Sequence, residues 1–233
     1  MSKDAIGDRM KRYEAVSQGF LTPNTPVFIR VDGRAFHTYT RRCDKPFDMN
    51  LIEAMRYAAQ HTAKDMHGFA LGYVQSDEAT FMLSDYARTE TQGWFGYETS
   101  KLVSLSASLF TAHFNDYVAR NLDSSKFGLA TFDSRAFNVP VDDAPNVFVW
   151  RQKDWERNWV SMLARSQFSA KQLHGKSRRE VLEMLRPGSV GELPCVVKNG
   201  TFLFPDGEVV HKFADYATVR DWLAQEHEKG HQK

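Results

Sequence analysis

Two apolar runs, Phe69 to Val74 and Ala79 to Leu83, are separated by only the four polar residues Gln75-Ser76-Asp77-Glu78. A link that short cannot carry a parallel crossover, so the runs predict two antiparallel strands in a hairpin with acids at its tip. Upstream, after a loop closed by Pro23 and Pro26, Val27 to Val31 (VFIRV) alternates as a half-buried strand does. Asp48 to Met66 places Leu51, Ile52, Met55, Ala58, Ala59, Thr62 and Met66 on one face of a 3.6-residue period, with Asp48 or Asn50 as N-cap and Gly68 as the break. Downstream, Gly96 to Val118 keeps Leu102, Leu105, Leu109 and Ala112 in helical phase, and Leu129 to Phe132 reads as a strand. The order β-α-β-β-α-β predicts an α+β chain built on the ferredoxin-like split unit, a sheet with both helices on one face.

Outside that unit, Lys3 to Val16 is expected to form a short helix. The last third reads as an appended subdomain: an apolar Val147 to Trp150, helices over Asp154 to Arg165 and Ser177 to Leu185, and a hairpin from Thr201 to Lys212 around Pro205-Asp206-Gly207. The tail after Glu226 is expected to lack fixed structure. This gives a catalytic core over 1–140 and a subdomain over 141–233 packed on it as one unit. With 42% hydrophobic residues in 233, the chain can bury a core of its own. The 30 Lys and Arg nearly cancel the 29 Asp and Glu, so any grip on RNA must be local. Cys43 and Cys195 match no metal or redox spacing, the eight histidines form no zinc motif, and no apolar leader or membrane span is present. The expectation is a soluble cytoplasmic protein without zinc.

Chemistry enters at two strand ends. Ile29-Arg30-Val31-Asp32-Gly33-Arg34-Ala35-Phe36-His37 and Gln75-Ser76-Asp77-Glu78 each set a carboxylate where an apolar run stops. Each is also an ordinary turn sequence when taken alone. In a split unit the two strand ends are neighbours, so Asp32 and Asp77 can share metal ions. Magnesium takes one or two carboxylates plus substrate phosphates and water, and a pair of ions can clamp both oxygens of an in-line displacement. Gly33 lets backbone approach an ion or a triphosphate, and Ser76 can add a hydroxyl. By strand alternation Glu78 points away from Asp77, towards a structural role or one behind the ligands. Arg30, Arg34, Lys45 and Lys101 are candidates for phosphates; His37 and Phe36 can hold a base or ribose, or serve core and surface.

The same residues resemble the tRNA-His guanylyltransferase superfamily. The match includes IRVDGRAFH and QSDE, Lys45-Pro46-Phe47-Asp48, Ser100-Lys101, Phe132-Asp133-Ser134-Arg135, Trp150-Arg151-Gln152 with Asp154, and Leu173-His174-Gly175-Lys176-Ser177. The resemblance implies a palm-like polymerase core with two Mg2+ ions held by Asp32, the Gly33 carbonyl and Asp77. It also implies nucleotide contacts from Asp32, Gly33, Arg34, Ala35, Phe36, His37, Lys45, Asp48, Ser76, Asp77 and Lys101, with Arg30, Glu78 and Asn158 as further RNA or nucleotide contacts. The implied activity is 3′-to-5′ addition of nucleotides to the 5′ end of tRNA, with GTP and ATP as small substrates and a homotetramer as the assembly. Eukaryotic members carry His-Ile-Asn-Asn-Leu-Tyr-Asn where this chain has Glu156-Arg157-Asn158-Trp159-Val160-Ser161-Met162 and keeps only Asn158. That departure resembles the bacterial, archaeal and phage guanylyltransferase-like relatives, which favour template-dependent repair of tRNA 5′ ends. Tyr97-Glu98-Thr99 stands where eukaryotic members are more basic, and an acid there is expected to weaken a phosphate contact. Two other readings are a palm-type nucleotide cyclase, which lacks its GGDEF-type signature here, and a catalytically quiet tRNA-binding protein, which would have no use for acids that repel phosphate.

Overall fold

Phe28 and Ile29 are neighbours in one strand and belong to different cores, because successive side chains of a strand point to opposite faces. The computed structural model describes residues 4–86, 91–123, 127–185 and 190–231, the last three by backbone alone. In chain order the elements are α1 (Ala5–Ala15), β1 (Val27–Gly33), α2 (Phe36–Tyr39), α3 (Met49–Asp65), β2 (Phe69–Gln75), β3 (Glu78–Leu83), α4 (Thr99–Asn121) and β4 (Phe132–Asn138). There follow α5 (Ala144–Gln167), α6 (Ala170–Leu173), α7 (Arg178–Met184), α8 (Cys195–Asn199), β5 (Thr201–Leu203), β6 (Val209–Val210) and α9 (Tyr216–His231). The sheet order is β4-β1-β3-β2-β5-β6 with every pairing antiparallel, so the first four strands form the ferredoxin-like order.

One face carries α3 and α4. Val27, Ile29 and Val31 of β1 and Ala79, Phe81 and Leu83 of β3 meet an alanine-rich stripe of α3 (Ala54, Ala58, Ala59, Ala63) and Leu102, Phe110, Phe114 and Val118 of α4. Small residues on α3 let the two helices lie close over the sheet. Asp48 starts α3 as its N-cap, accepting from the Asn50 and Leu51 amides at 3.0 and 3.3 Å. The other face carries α5 and α9, whose Val147, Phe148 and Val219 pack on Phe28, Leu71, Tyr73, Met82 and Phe202. Further along α5, Trp155, Trp159, Val160 and Leu163 form a third cluster with Leu185 and the ring of Phe47.

Four expectations are corrected. Strand β4 spans Phe132–Asn138, not Leu129 to Phe132; Leu129 is 87% exposed, and the strand hides in a run with one polar face, Asp133 and Arg135 alternating with Ser134 and Ala136. Val147 to Trp150 belongs to the first turns of a single α5, opened by Pro145, with buried residues recurring from Ala144 to Ala164 at three- and four-residue intervals. Helix α4 starts at Thr99, after Phe95, Gly96 and Tyr97 turn through positive φ. The tail after Glu226 continues α9 to His231, since Val219, Trp222 and Leu223 anchor that helix on the sheet.

One buried contact fastens α5 to the hairpin. Arg151 donates from Nε and Nη2 to the two oxygens of Glu78 at 2.6 and 2.8 Å, with both side chains 8% exposed or less. Nη2 also reaches Asp154 at 3.0 Å, and the guanidinium lies 4.5 Å from the Trp150 ring centroid. Arg151→Met would strand a buried carboxylate and is expected to lower the unfolding free energy by about 3–5 kcal/mol. The measurement is the urea midpoint at unchanged slope. The double variant Arg151→Met with Glu78→Gln should recover much of that loss, and a single-variant loss under about 1 kcal/mol would make the pair no stronger than an exposed one.

Candidate active site

The acids meet at the end of the sheet where β1 leaves and β2 turns into β3. Ser76 and Asp77 form a two-residue turn, and Ser76 takes the left-handed φ of 50° that such hairpins need at the first loop position. The Gly33 amide donates to the Asp77 carbonyl at 2.9 Å, which fastens the turn to the end of β1. Asp32 stands beside Glu78 on one side and Asp133 of β4 on the other. Facing strand partners share a face, so three carboxylates line up across the sheet with Asp77 just above them.

Their electrostatics differ. Burial pushes the Asp77 carboxyl up from its ordinary value; a 2.9 Å bond from the Ser76 hydroxyl and a backbone bond oppose the shift, and the Asp32 charge adds to it. A cation between the two acids would relieve both costs. Burial also pushes Glu78 up, while Arg151 and Arg30 pull it back. The short fork from Arg151 is that of an ionised carboxylate, so Glu78 is engaged behind the site. Among the described residues no three His, Cys, Asp or Glu gather as a metal centre. A metal at Asp32 and Asp77 would complete its shell with backbone carbonyl, phosphate and water oxygens, a donor set suited to magnesium.

Beside Asp77 opens a cavity of about 650 Å3 between the Lys45–Asp48 loop, the end of β2 and the far half of α5. Phe36, His37, Lys45, Asp48, Ser76 and Asp77 are among the residues that line it. Asp32, Gly33, Arg34 and Ala35 are outside its lining. Lys45 is exposed and donates to the Thr40 carbonyl at 2.9 Å, a bond it can exchange for a phosphate, and His37 is exposed beside Thr38. The Asp48 carboxylate is spent on caps and also accepts from the Asp44 amide at 3.0 Å. Another cavity, about 660 Å3, lies at the opposite end of the sheet near Met82 and Leu223, away from Asp32 and Asp77.

Several sequence candidates lie elsewhere. Phe36 is a core ring, with centroids 4.9 Å from Tyr39 and 5.1 Å from Phe132, so its side chain is not free to stack on a base. Arg30 faces inward, 3.7 Å from Glu78 and 5.7 Å from the Trp150 ring, rather than outward to a triphosphate. Lys101 pairs with Glu98 at 3.0 Å and does not line the cavity. The Phe132 amide, level with Gly33 at the acidic end of the sheet, bonds Thr111 in the middle of α4, and Lys101 lies ten residues earlier, about 15 Å back along the helix. The same pairing answers the acid at Glu98, whose carboxyl is held below its ordinary value by Ser100 and Lys101. Asn158 is exposed on α5 and outside the cavity. Sequence reasoning passed over Arg151 and Asp133 although both sit in quoted motifs; the register of β4 that brings Asp133 beside Asp32 was the missing signal.

Gly33 is required for space rather than for φ. A Cβ there would overlap the Phe36 ring, which Tyr39, Phe114 and Phe132 hold in place. Gly33→Ala is expected to cost about 1–3 kcal/mol of stability, measured by chemical denaturation. A neutral result would mean that the ring can move aside.

A model of the tRNAHis guanylyltransferase (Thg1) family matches residues 7–140. A solved bacterial tRNA(His) guanylyltransferase (Thg1)-like protein in complex with ATP is 36% identical, with a TM-score of 0.87 over 95% of this chain and 99% of that one. A second such structure, in complex with GTP, is 34% identical, with a TM-score of 0.80 over 96% and 99%. The tRNA(His) guanylyltransferase of Schizosaccharomyces pombe is 33% identical over 156 residues, covering 64% of this chain and 56% of the relative. With its palm-type sheet, its paired acids at the sheet end and these matches along most of its length, the chain belongs to the tRNAHis guanylyltransferase family.

Proposed function

We propose that this chain adds nucleotides to the 5′ end of a tRNA in the 3′-to-5′ direction, using two magnesium ions. The convergence of Asp32 and Asp77 beside a nucleotide-sized cavity is the observation that carries the reading. Asp32, Asp77 and the Gly33 carbonyl would hold the ions. When bound, such ions neutralise charge on the transferring phosphoryl group and lower the pKa of the attacking hydroxyl. The protein residues position the reactants. The backbone from Asp32 to His37, with Ser76, would cradle a nucleoside triphosphate, Asp48 would hold the loop of the nucleotide cavity in place through its caps, and Lys45 would move from the Thr40 carbonyl to a phosphate. The 3′-hydroxyl of an incoming GTP then forms a bond to the 5′ phosphorus of the tRNA as the bond to the leaving group breaks. Pyrophosphate departs from a triphosphate end, and AMP from an end activated with ATP.

The departure at Glu156 to Met162 favours repair of truncated 5′ ends over strict addition to tRNA-His. In this reading a core over 1–140 and a subdomain over 141–233 work as one unit, which the pairing of β5 with β2 and the Arg151–Glu78 contact across their boundary support. The proposed assembly is a homotetramer in the cytoplasm; among the described residues no helix is long and apolar enough to cross a membrane.

The test is incubation of purified protein with magnesium, all four NTPs and a labelled tRNA lacking its first nucleotide. Templated 5′ extension is expected. Asp32→Ala and Asp77→Ala should each reduce it by at least about 10³-fold while tRNA binding persists. Absence of extension on every tRNA tried, with binding intact, would replace the proposal with a catalytically quiet RNA-binding protein.

A further inference from the structure

Gln75, the last residue of β2, is 5% exposed and lines the cavity beside Asp77, yet its Oε1 has no hydrogen-bond partner. A carboxamide offers two donors and an acceptor, and native proteins leave few buried groups of this kind unpaired. An oxygen needs a donor, and the indole N–H of Trp155, another residue of the cavity wall, is already spent on the Val197 carbonyl at 2.8 Å. The cavity walls around Gln75 are apolar and partly flat: Phe47 and Trp155 meet edge to face at 6.4 Å, with Met55 on the α3 side. Lys45 and Arg165 supply positive charge at its margins. Flat apolar walls, one unpartnered amide oxygen and nearby cations together fit a base with a hydrogen-bonding edge and an anionic tail.

We infer that Gln75 reads the six-membered edge of a purine nucleotide in this cavity, and that rotation of its amide lets one side chain accept either adenine or guanine. Adenine presents a donor at N6 beside an acceptor at N1; guanine presents an acceptor at O6 beside a donor at N1. The two patterns are mirror images in donor and acceptor, and a half-turn of the carboxamide exchanges its oxygen and nitrogen to match each. Gln75 is thereby a specificity-determining residue. The inference rests on the nucleotidyltransferase proposal and names the group that selects its purine substrates.

The test is calorimetric binding to the full chain with magnesium, comparing ATP with purine riboside 5′-triphosphate, which lacks the N6 amine, and GTP with ATP. Wild-type protein is expected to prefer ATP over the deaminated analogue by about tenfold, and Gln75→Met should bring that ratio close to one. Because Gln75→Met removes a buried oxygen without a partner, the melting temperature of the nucleotide-free protein should hold or rise, whereas a purely structural glutamine would lower it. Gln75→Glu, which can only accept, should shift preference from ATP towards GTP, whose N1 and N2 both donate. Wild-type protein that binds ATP and the analogue equally overturns the inference without any variant, as does a ratio that survives Gln75→Met. Failure to bind any nucleoside triphosphate would overturn the nucleotidyltransferase reading itself.

Discussion

Arg151 and Glu78 are 73 residues apart in sequence and are joined by two short charge-assisted bonds beneath the sheet. Their union decides how the acids at this sheet end are used. Asp32 has carboxylates on both sides, and three ionised neighbours on one face would repel each other and any phosphate brought near. Arg151, with Arg30 behind it, cancels Glu78 and leaves Asp32 and Asp77 as the charges available for a cation. The same contact sets the height of α5, which runs on past the strand ends and becomes a wall of the cavity at Trp155, Met162 and Arg165. Helix α5 thus determines both the charge and the shape of a sheet end whose acids come from β1 and the β2–β3 turn.

Much of the core could be read because its signals are local. The hairpin was fixed by a four-residue gap, and α3 by one apolar stripe and an N-cap aspartate. Other features depend on distant partners. β4 takes its position from the register it makes with β1, so a half-polar segment pairs while the more apolar Leu129 stays in water. α9 owes its length to three residues anchored on the sheet, which composition cannot reveal.

The site followed the same division. Asp32 and Asp77 were legible because each ends an apolar run. Lys101 lies away from the acids because α4 enters from the far end of the sheet, a direction its motif does not reveal. Phe36 sits in a segment rich in nucleotide contacts by resemblance, yet its ring closes the core beneath Gly33. In that segment backbone and side chain serve different ends: the chain path belongs to the site, the aromatic ring to the fold.

β4 also forms one margin of the sheet, and a bare margin offers a row of unsatisfied amides and carbonyls to any extended peptide. Here Asp133 and Arg135 form an exposed ion pair along it, and Asn138 ties its end to Thr22 with bonds of 2.8 and 3.1 Å. Charged side chains and an anchored end disfavour strand addition. The carboxylate that flanks Asp32 therefore guards the molecule against growing by its edge, so loss of that charge would be felt first as aggregation at high concentration.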